Sequence, residues 1–259
     1  MSRRLEVTPA IVLNRYDFRE SDRIVVLLTR DLGLVRAFAK GLRKSHKRFG
    51  GIVDLLNCLE VELVRRKSDM MLLTGARLLE PFSPLSHSPM LLAAGCHLAE
   101  VASSLAAEDT PEPEIFALLA EALRLLGEGV DPAPVSRTLE LRALAAAGFA
   151  PRLDACAVTG RALADDEAAS FEPRHGGAVC LARAEPEAPR LSGGTRRKMI
   201  QVVAADAEAL WTVPWSREEL AEARAALQAA LQYHLGRPLR ARAFAENTAR
   251  FGRERKSDS

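Results

Sequence analysis

Nowhere in these 259 residues does an apolar run reach the ~18 residues that a membrane-crossing helix needs, so no span is expected. The opening MSRRLEVTPA carries two arginines with no apolar stretch and cleavage site behind them, and no signal peptide is expected. Four cysteines, Cys58, Cys96, Cys156 and Cys180, are too scattered to frame a secreted disulfide scaffold, which makes the cytoplasm the expected compartment. No G-x-x-x-x-G-K-[ST] loop occurs, which excludes a P-loop ATPase, and no G-x-G-x-x-G follows a strand. H-E-x-x-H and G-x-S-x-G are missing too. The histidines (His46, His87, His97, His175, His234) are dispersed and make neither a triad nor a ligand pair. With no catalytic constellation in sight, the expectation is a protein that is not an enzyme. There is no internal repeat and no low-complexity tract.

What is present is an ordinary globular composition, 48% hydrophobic and 27% charged, in a chain long enough for one or two domains. The net charge of +2 hides an uneven distribution. Residues 1–82 hold 16 Lys and Arg against 10 Asp and Glu, or +6. Residues 83–235 hold 13 against 21, or −8, and the tail from Gly236 holds 7 against 3, or +4. That asymmetry points to a polyanionic partner for the first segment and the tail. The densest run is AKGLRKSHKRFGG (39–51), with five basic side chains, one histidine and no acid.

From Pro9 to Glu80 the pattern is one of short strands. AIVLNRY and RIVVLLTR are β-branched runs, and DLG (31–33) is a turn signal after the second. LVRAFAK alternates, and CLEVELVRR sets Leu59, Val61 and Leu63 opposite Glu60 and Glu62. KSD (67–69) turns the chain into MMLLTGARLLE. Five strands in about 70 residues fit a closed antiparallel barrel of the oligonucleotide-binding (OB) type, and an SH3-like barrel would read similarly.

After EPFSPLSHSP (80–89) the character turns helical. Helices are expected over MLLAAGCHLAEVASSLA, then from a Thr110–Pro111 start through EIFALLAEALRLLG, then over APVSRTLELRALAAAG with Gly148 closing it. Residues 149–190 lose the helical period and read as an irregular insert. Helix returns over GTRRKMIQVVAADAEALW. Ser216 and Glu219 make a capping box ahead of LAEARAALQAALQYHL, where Leu220, Ala223, Leu227 and Leu231 share one face. The expected fold is therefore α+β. A five-stranded barrel spans 1–82 and a helical domain spans 83–251, with its insert at 149–190. A flexible basic tail occupies 252–259.

Three groups of residues are candidate sites. Alternation puts Arg36, Phe38 and Lys40 on the outer face of the third strand and Val35, Ala37 and Ala39 on the inner one. Cations beside a ring suit phosphates and a stacked base, and the open alternative is that Phe38 packs under a helix. Arg43, Lys44, Lys47 and Arg48 follow in the loop, with Arg65, Arg66 and Lys67 at the end of the next strand. A second anion site is possible where LSGGTRRKM starts a helix with Arg196, Arg197 and Lys198 against its dipole. Lastly, CAVTG and GGAVCLAR look like halves of a zinc clip. Thr159 and Arg183 stand three residues after Cys156 and Cys180, and neither is a good zinc ligand. No metal and no cofactor are expected.

The run from Arg15 to Gly51 followed by LEVELVRRKSDMMLLTGARLLEPF resembles the bacterial RecO family of recombination-repair proteins. LRALAAAGFAPRLDAC with GGAVC, and LQYHLGRPLRARAF, extend the resemblance over nearly the whole chain. The resemblance implies an N-terminal OB fold and a helical domain that often carries a four-cysteine zinc site. It implies binding of single- and double-stranded DNA and annealing of complementary strands. As partners it implies RecR and the C-terminal tail of single-stranded DNA-binding protein (SSB), acting together to load RecA, with a nucleoid-associated location. On this chain the family's basic loop corresponds to Lys40, Arg43, Lys44, Lys47 and Arg48. The zinc site is not carried over, because two of its four cysteines are absent. A pocket in the helical domain, rimmed by the Arg237–Arg242 segment, would suit the SSB tail. Outside the family, an OB-fold RNA-binding protein and an adaptor for an acidic protein partner remain open.

Overall fold

The computed structural model describes residues 4–239 apart from Arg19, 43–48, Gly50, 67–69, 83–84 and 86–87. Five strands close into a barrel: β1 (Leu5–Asp17), β2 (Arg23–Thr29), β3 (Gly33–Ala39), β4 (Cys58–Val64) and β5 (Met71–Glu80). Their order around the ring is β1-β2-β3-β5-β4, with β1 pairing β4 to shut it. β3 and β5 run parallel, and the other neighbours are antiparallel. The α+β class and the OB-type barrel expected from alternation are what the chain forms. Val25, Leu27, Val35, Ala37, Ala39, Leu59, Val61 and Leu63 fill the interior together with Phe49 and Met71. Because the side-chain period of a strand is two, the residues between them face outward.

Two helices, α1 (Pro89–Leu105) and α2 (Pro113–Gly127), follow the barrel. Ser88 caps α1 through its hydroxyl, which accepts from Leu91 N–H. The second helix starts later than expected. Pro113 takes its first turn and Glu112 its cap position, while the Thr110 hydroxyl donates to the Glu108 carbonyl instead. Ile11 and Leu28 face away from the barrel interior yet are fully buried, where the helices lie on β1 and β2. The first compact unit therefore runs through Gly129 and takes both helices, whereas the sequence reading divides the chain after residue 82.

The second unit, Val130–Leu239, holds α3 (Pro132–Ala146), α4 (Gly193–Ala204) and α5 (Arg217–Leu235). The capping box at Ser216 and Glu219 forms with both of its hydrogen bonds. Two expectations are corrected here. The insert is not wholly irregular, because β6 (Ala169–Glu172), β7 (Gly177–Cys180) and β8 (Arg190–Leu191) make a small sheet in the order β7-β6-β8. And α4 stops at Ala204 rather than running on to Trp211. There the Arg142 guanidinium takes the carbonyls of Val203 and Ala205, and Asp206 turns the chain by accepting from the N–H groups of Glu208 and Ala209.

Candidate nucleic-acid interface

β3 carries the expected face. Arg36 and Lys40 are exposed, Phe38 is half-buried, and Val35, Ala37 and Ala39 point into the core. The barrel register places the end of β4 beside this face. Phe38 pairs with Leu72 on β5, and Leu72 pairs with Val64, so the exposed Arg65 and Arg66 leave β4 two strands away from β3. At roughly 4.8 Å per strand that separation is about 10 Å. Arg43, Lys44, Lys47, Arg48 and Lys67 lie outside the described residues.

Two of these cations already touch carboxylates. Arg36 Nη2 lies 3.2 Å from Glu108 Oε1, and Arg65 Nη2 lies 3.1 Å from Asp109 Oδ1. The acids sit on the turn between α1 and α2, which is moored to the β2–β3 hairpin by Leu34 N–H donating to the Ala107 carbonyl at 3.0 Å. Gly33 makes that approach possible. Its φ is +69°, and a Cβ there would come within 2.0 Å of the Thr110 carbonyl oxygen. All four charged groups are more than half exposed, and such surface pairs contribute little stability. Their place next to β3 is not readable from local sequence.

Sequence reasoning also missed two rings. Phe18 meets Phe38 edge-on, with centroids 5.6 Å apart, and Tyr16 stands exposed on the same strand end. The signal was present in RYDFR (15–19), which alternates rings with charges.

The residues at the start of α4 do not come together as an anion site. Arg196 is buried, and its guanidinium donates to the carbonyls of Leu153, Ala164 and Glu167. Arg197 donates to the Asp165 carbonyl, and Lys198 is half-buried. The helix start has an anion of its own. Glu222 Oε2 accepts from Ser192 N–H and from the Ser192 and Thr195 hydroxyls. Burial pushes this carboxyl up, and the hydrogen bonds from Thr195 and Ser192 more than offset it, holding it below the usual carboxylate range. An internal carboxylate thus occupies the place expected for a ligand.

Cys156 and Cys180 do meet, with their sulfurs 3.4 Å apart and both buried. Residues 152–157 run along β7, and Gly177 permits this because a Cβ would reach within 2.1 Å of the Arg152 carbonyl oxygen. Burial raises the Cys156 thiol. Hydrogen bonds from Cys180 N–H and from the Thr159 hydroxyl and N–H outweigh that and bring it down to about 6. The charge facing Cys180 is the Arg161 guanidinium, which bonds to it. Two thiols beside a hydroxyl and a guanidinium do not fit a tetrahedral zinc site. Among the described residues no group of three or more His, Cys, Asp or Glu could hold a metal.

The same unit contains an apolar cleft of about 180 Å³ lined by Leu144, Phe149, Phe171, Pro173, Ala230 and His234 among others. Phe149 stacks on His234 at 4.2 Å and 21°. Burial lowers the basicity of that imidazole.

Comparison with known proteins shows the family. The family model described as "Recombination protein O N terminal" matches residues 1–82, and the one described as "Recombination protein O C terminal" matches residues 87–243. The chain belongs to the RecO family. Curated relatives named DNA repair protein RecO include one from Anaeromyxobacter sp. (strain Fw109-5), 38% identical over 251 residues, covering 94% of this chain and 96% of the relative. Another, from Anaeromyxobacter sp. (strain K), is 37% identical over 238 residues, with 90% and 93% covered. One from Myxococcus xanthus is 35% identical over 238 residues, with 89% and 93% covered. This RecO-family chain thus falls among recombination mediators of DNA repair, and the closed barrel is the family's OB-type N-terminal part. No helix of the described residues is long and apolar enough to cross a membrane.

Proposed function

We propose that this chain binds single- and double-stranded DNA on its barrel, anneals complementary strands and, with RecR, helps load RecA onto SSB-coated DNA. It does so without a chemical step, in the cytoplasm at the nucleoid. The observation that carries the reading is the outward face of β3, where Arg36 and Lys40 flank Phe38, with Arg65 and Arg66 about 10 Å away across β5. In the sequence the basic loop with Arg43, Lys44, Lys47 and Arg48 follows directly, and Lys67 follows Arg66. Phosphates neutralised on such a surface release counterions, so affinity falls steeply with salt. Annealing then needs only that two polyanions share one basic surface, where their mutual repulsion drops and their local concentration rises.

The SSB tail, acidic and apolar at its end, is assigned to the cleft beside Phe149 and His234. The apolar lining supports this, and Arg237 follows the last helix closely enough to supply charge. Because burial disfavours the charged imidazole, His234 acts there as a stacking surface rather than as a cation.

Fluorescence anisotropy of labelled oligonucleotides over a range of salt tests the DNA reading. Sequence-independent binding with a steep salt slope is expected. Replacing Lys44, Lys47 and Arg48 with Ala should weaken binding to all sequences alike and lower the slope by about 3. No binding at low salt would hand the barrel face to an acidic protein partner, and a preference for RNA would move the reading to an RNA-binding barrel.

A further inference from the structure

Three aromatic rings crowd the outside of one end of the barrel. Tyr16 pairs with Ile24, and Ile24 pairs with Phe38. Directly paired residues of neighbouring strands point to the same face, so Tyr16 and Phe38 stand on the outer face two strands apart, about 10 Å. Phe18 continues β1 by one residue, its N–H donating to the Asp22 carbonyl, and its ring meets Phe38 at 86°. Asn14 Nδ2 donates to the Tyr16 hydroxyl at 2.9 Å and fixes that ring. Tyr16 and Phe18 remain 53% and 49% exposed, although the chain has only nine Phe, two Tyr and two Trp to place. The rings are not waiting for α1 or α2, which cover the barrel elsewhere, over Ile11 and Leu28.

The charges decide what these rings meet. A protein-binding patch keeps its apolar residues central and its charges at the rim. Here Arg36 and Lys40 lie within the row, two residues to either side of Phe38. Rings interleaved with cations match a single strand, whose bases are free to stack while its phosphates are neutralised. A duplex holds its bases inside and offers the same rings only sugar and phosphate.

We infer that Tyr16, Phe18 and Phe38 form a base-stacking platform that makes the barrel favour single-stranded over double-stranded DNA. The inference rests on the DNA-binding reading above and divides the labour within it: duplex is held by charge alone, single strand by charge and rings. The platform's contribution is therefore insensitive to salt.

The test is anisotropy on the full-length chain with three probes of equal length: a single strand, a hairpin duplex, and a strand of abasic residues. Replacing Tyr16→Ala and Phe18→Ala together should weaken single-strand binding about 10- to 100-fold. Duplex and abasic affinities should stay within about two-fold, and all salt slopes should be unchanged. Phe18→Trp should bind single strand at least as tightly as the parent, which separates lost stacking from lost folding. If the double variant weakens all three probes equally, or leaves single-strand binding intact while Phe18→Trp folds normally, the platform is wrong and the DNA reading stands. If the parent chain binds none of the probes, the DNA reading fails and takes the platform with it.

Discussion

Two pairs of arginines, one from each unit, live under opposite conditions. Arg36 and Arg65 on the barrel are more than half exposed and each touches one exposed carboxylate. Arg196 in the second unit is 2% exposed and donates to three backbone carbonyls, and Arg142 donates to two more. A guanidinium committed to carbonyls inside the fold holds chain segments together. One paired with an exposed surface carboxylate can exchange that partner for a phosphate at small cost. The partner, rather than the charge, separates an arginine that binds from one that builds.

Removing the builder should produce the largest effect. Arg196→Met removes the donor shared by the carbonyls of Leu153, Ala164 and Glu167 and should lower unfolding free energy by about 3–5 kcal/mol in a denaturant titration. DNA affinity measured at a temperature where the variant is folded should not change. If it fell with stability intact, the separation of roles would be broken.

A smaller effect is expected where barrel cations are released. Glu108→Gln with Asp109→Asn frees Arg36 and Arg65 from their carboxylates and should tighten DNA binding about two- to five-fold, given what surface pairs are worth. Arg36→Ala with Arg65→Ala should do the reverse and lower the salt slope by about 2. Unchanged anisotropy curves in both double variants would mean that this pair of arginines does not face DNA.

The smallest effect belongs to Glu222. Its carboxyl titrates below the usual range in the folded state, so it adds stability above the unfolded value of about 4.3 and loses it as pH falls through the folded one. Glu222→Gln should therefore flatten the dependence of stability on pH in the acid range, read by thermal melts, and leave the neutral-to-alkaline side parallel to the parent.

The barrel was legible because its strands are long and face water on one side. Val35, Ala37 and Ala39 against Arg36, Phe38 and Lys40 give both the strand and its outer face. The β6–β8 sheet was not legible. β6 and β7 have four residues each, all buried, so no alternation exists to read, and β8 has two. The basic character of 196–198 was visible, but its fate depends on carbonyls 29 to 43 residues away. The same holds for Glu108, which reaches Arg36 across 72 residues. Local pattern reports which residues share a face, and long-range pairing decides what that face meets.

The ring is closed by β1 pairing with β4, with Leu5 opposite Val64. During synthesis at about 5–20 residues per second, β1 must wait roughly 3–12 s before its second neighbour exists. For that interval one side of the first strand is an open edge that another nascent chain can pair with. Pro9 does not blunt it, because its carbonyl accepts from Arg30 N–H and its missing N–H therefore faces the β2 side rather than the waiting edge. The growing chain is therefore open to capture at this edge until the strand that closes the ring has been made.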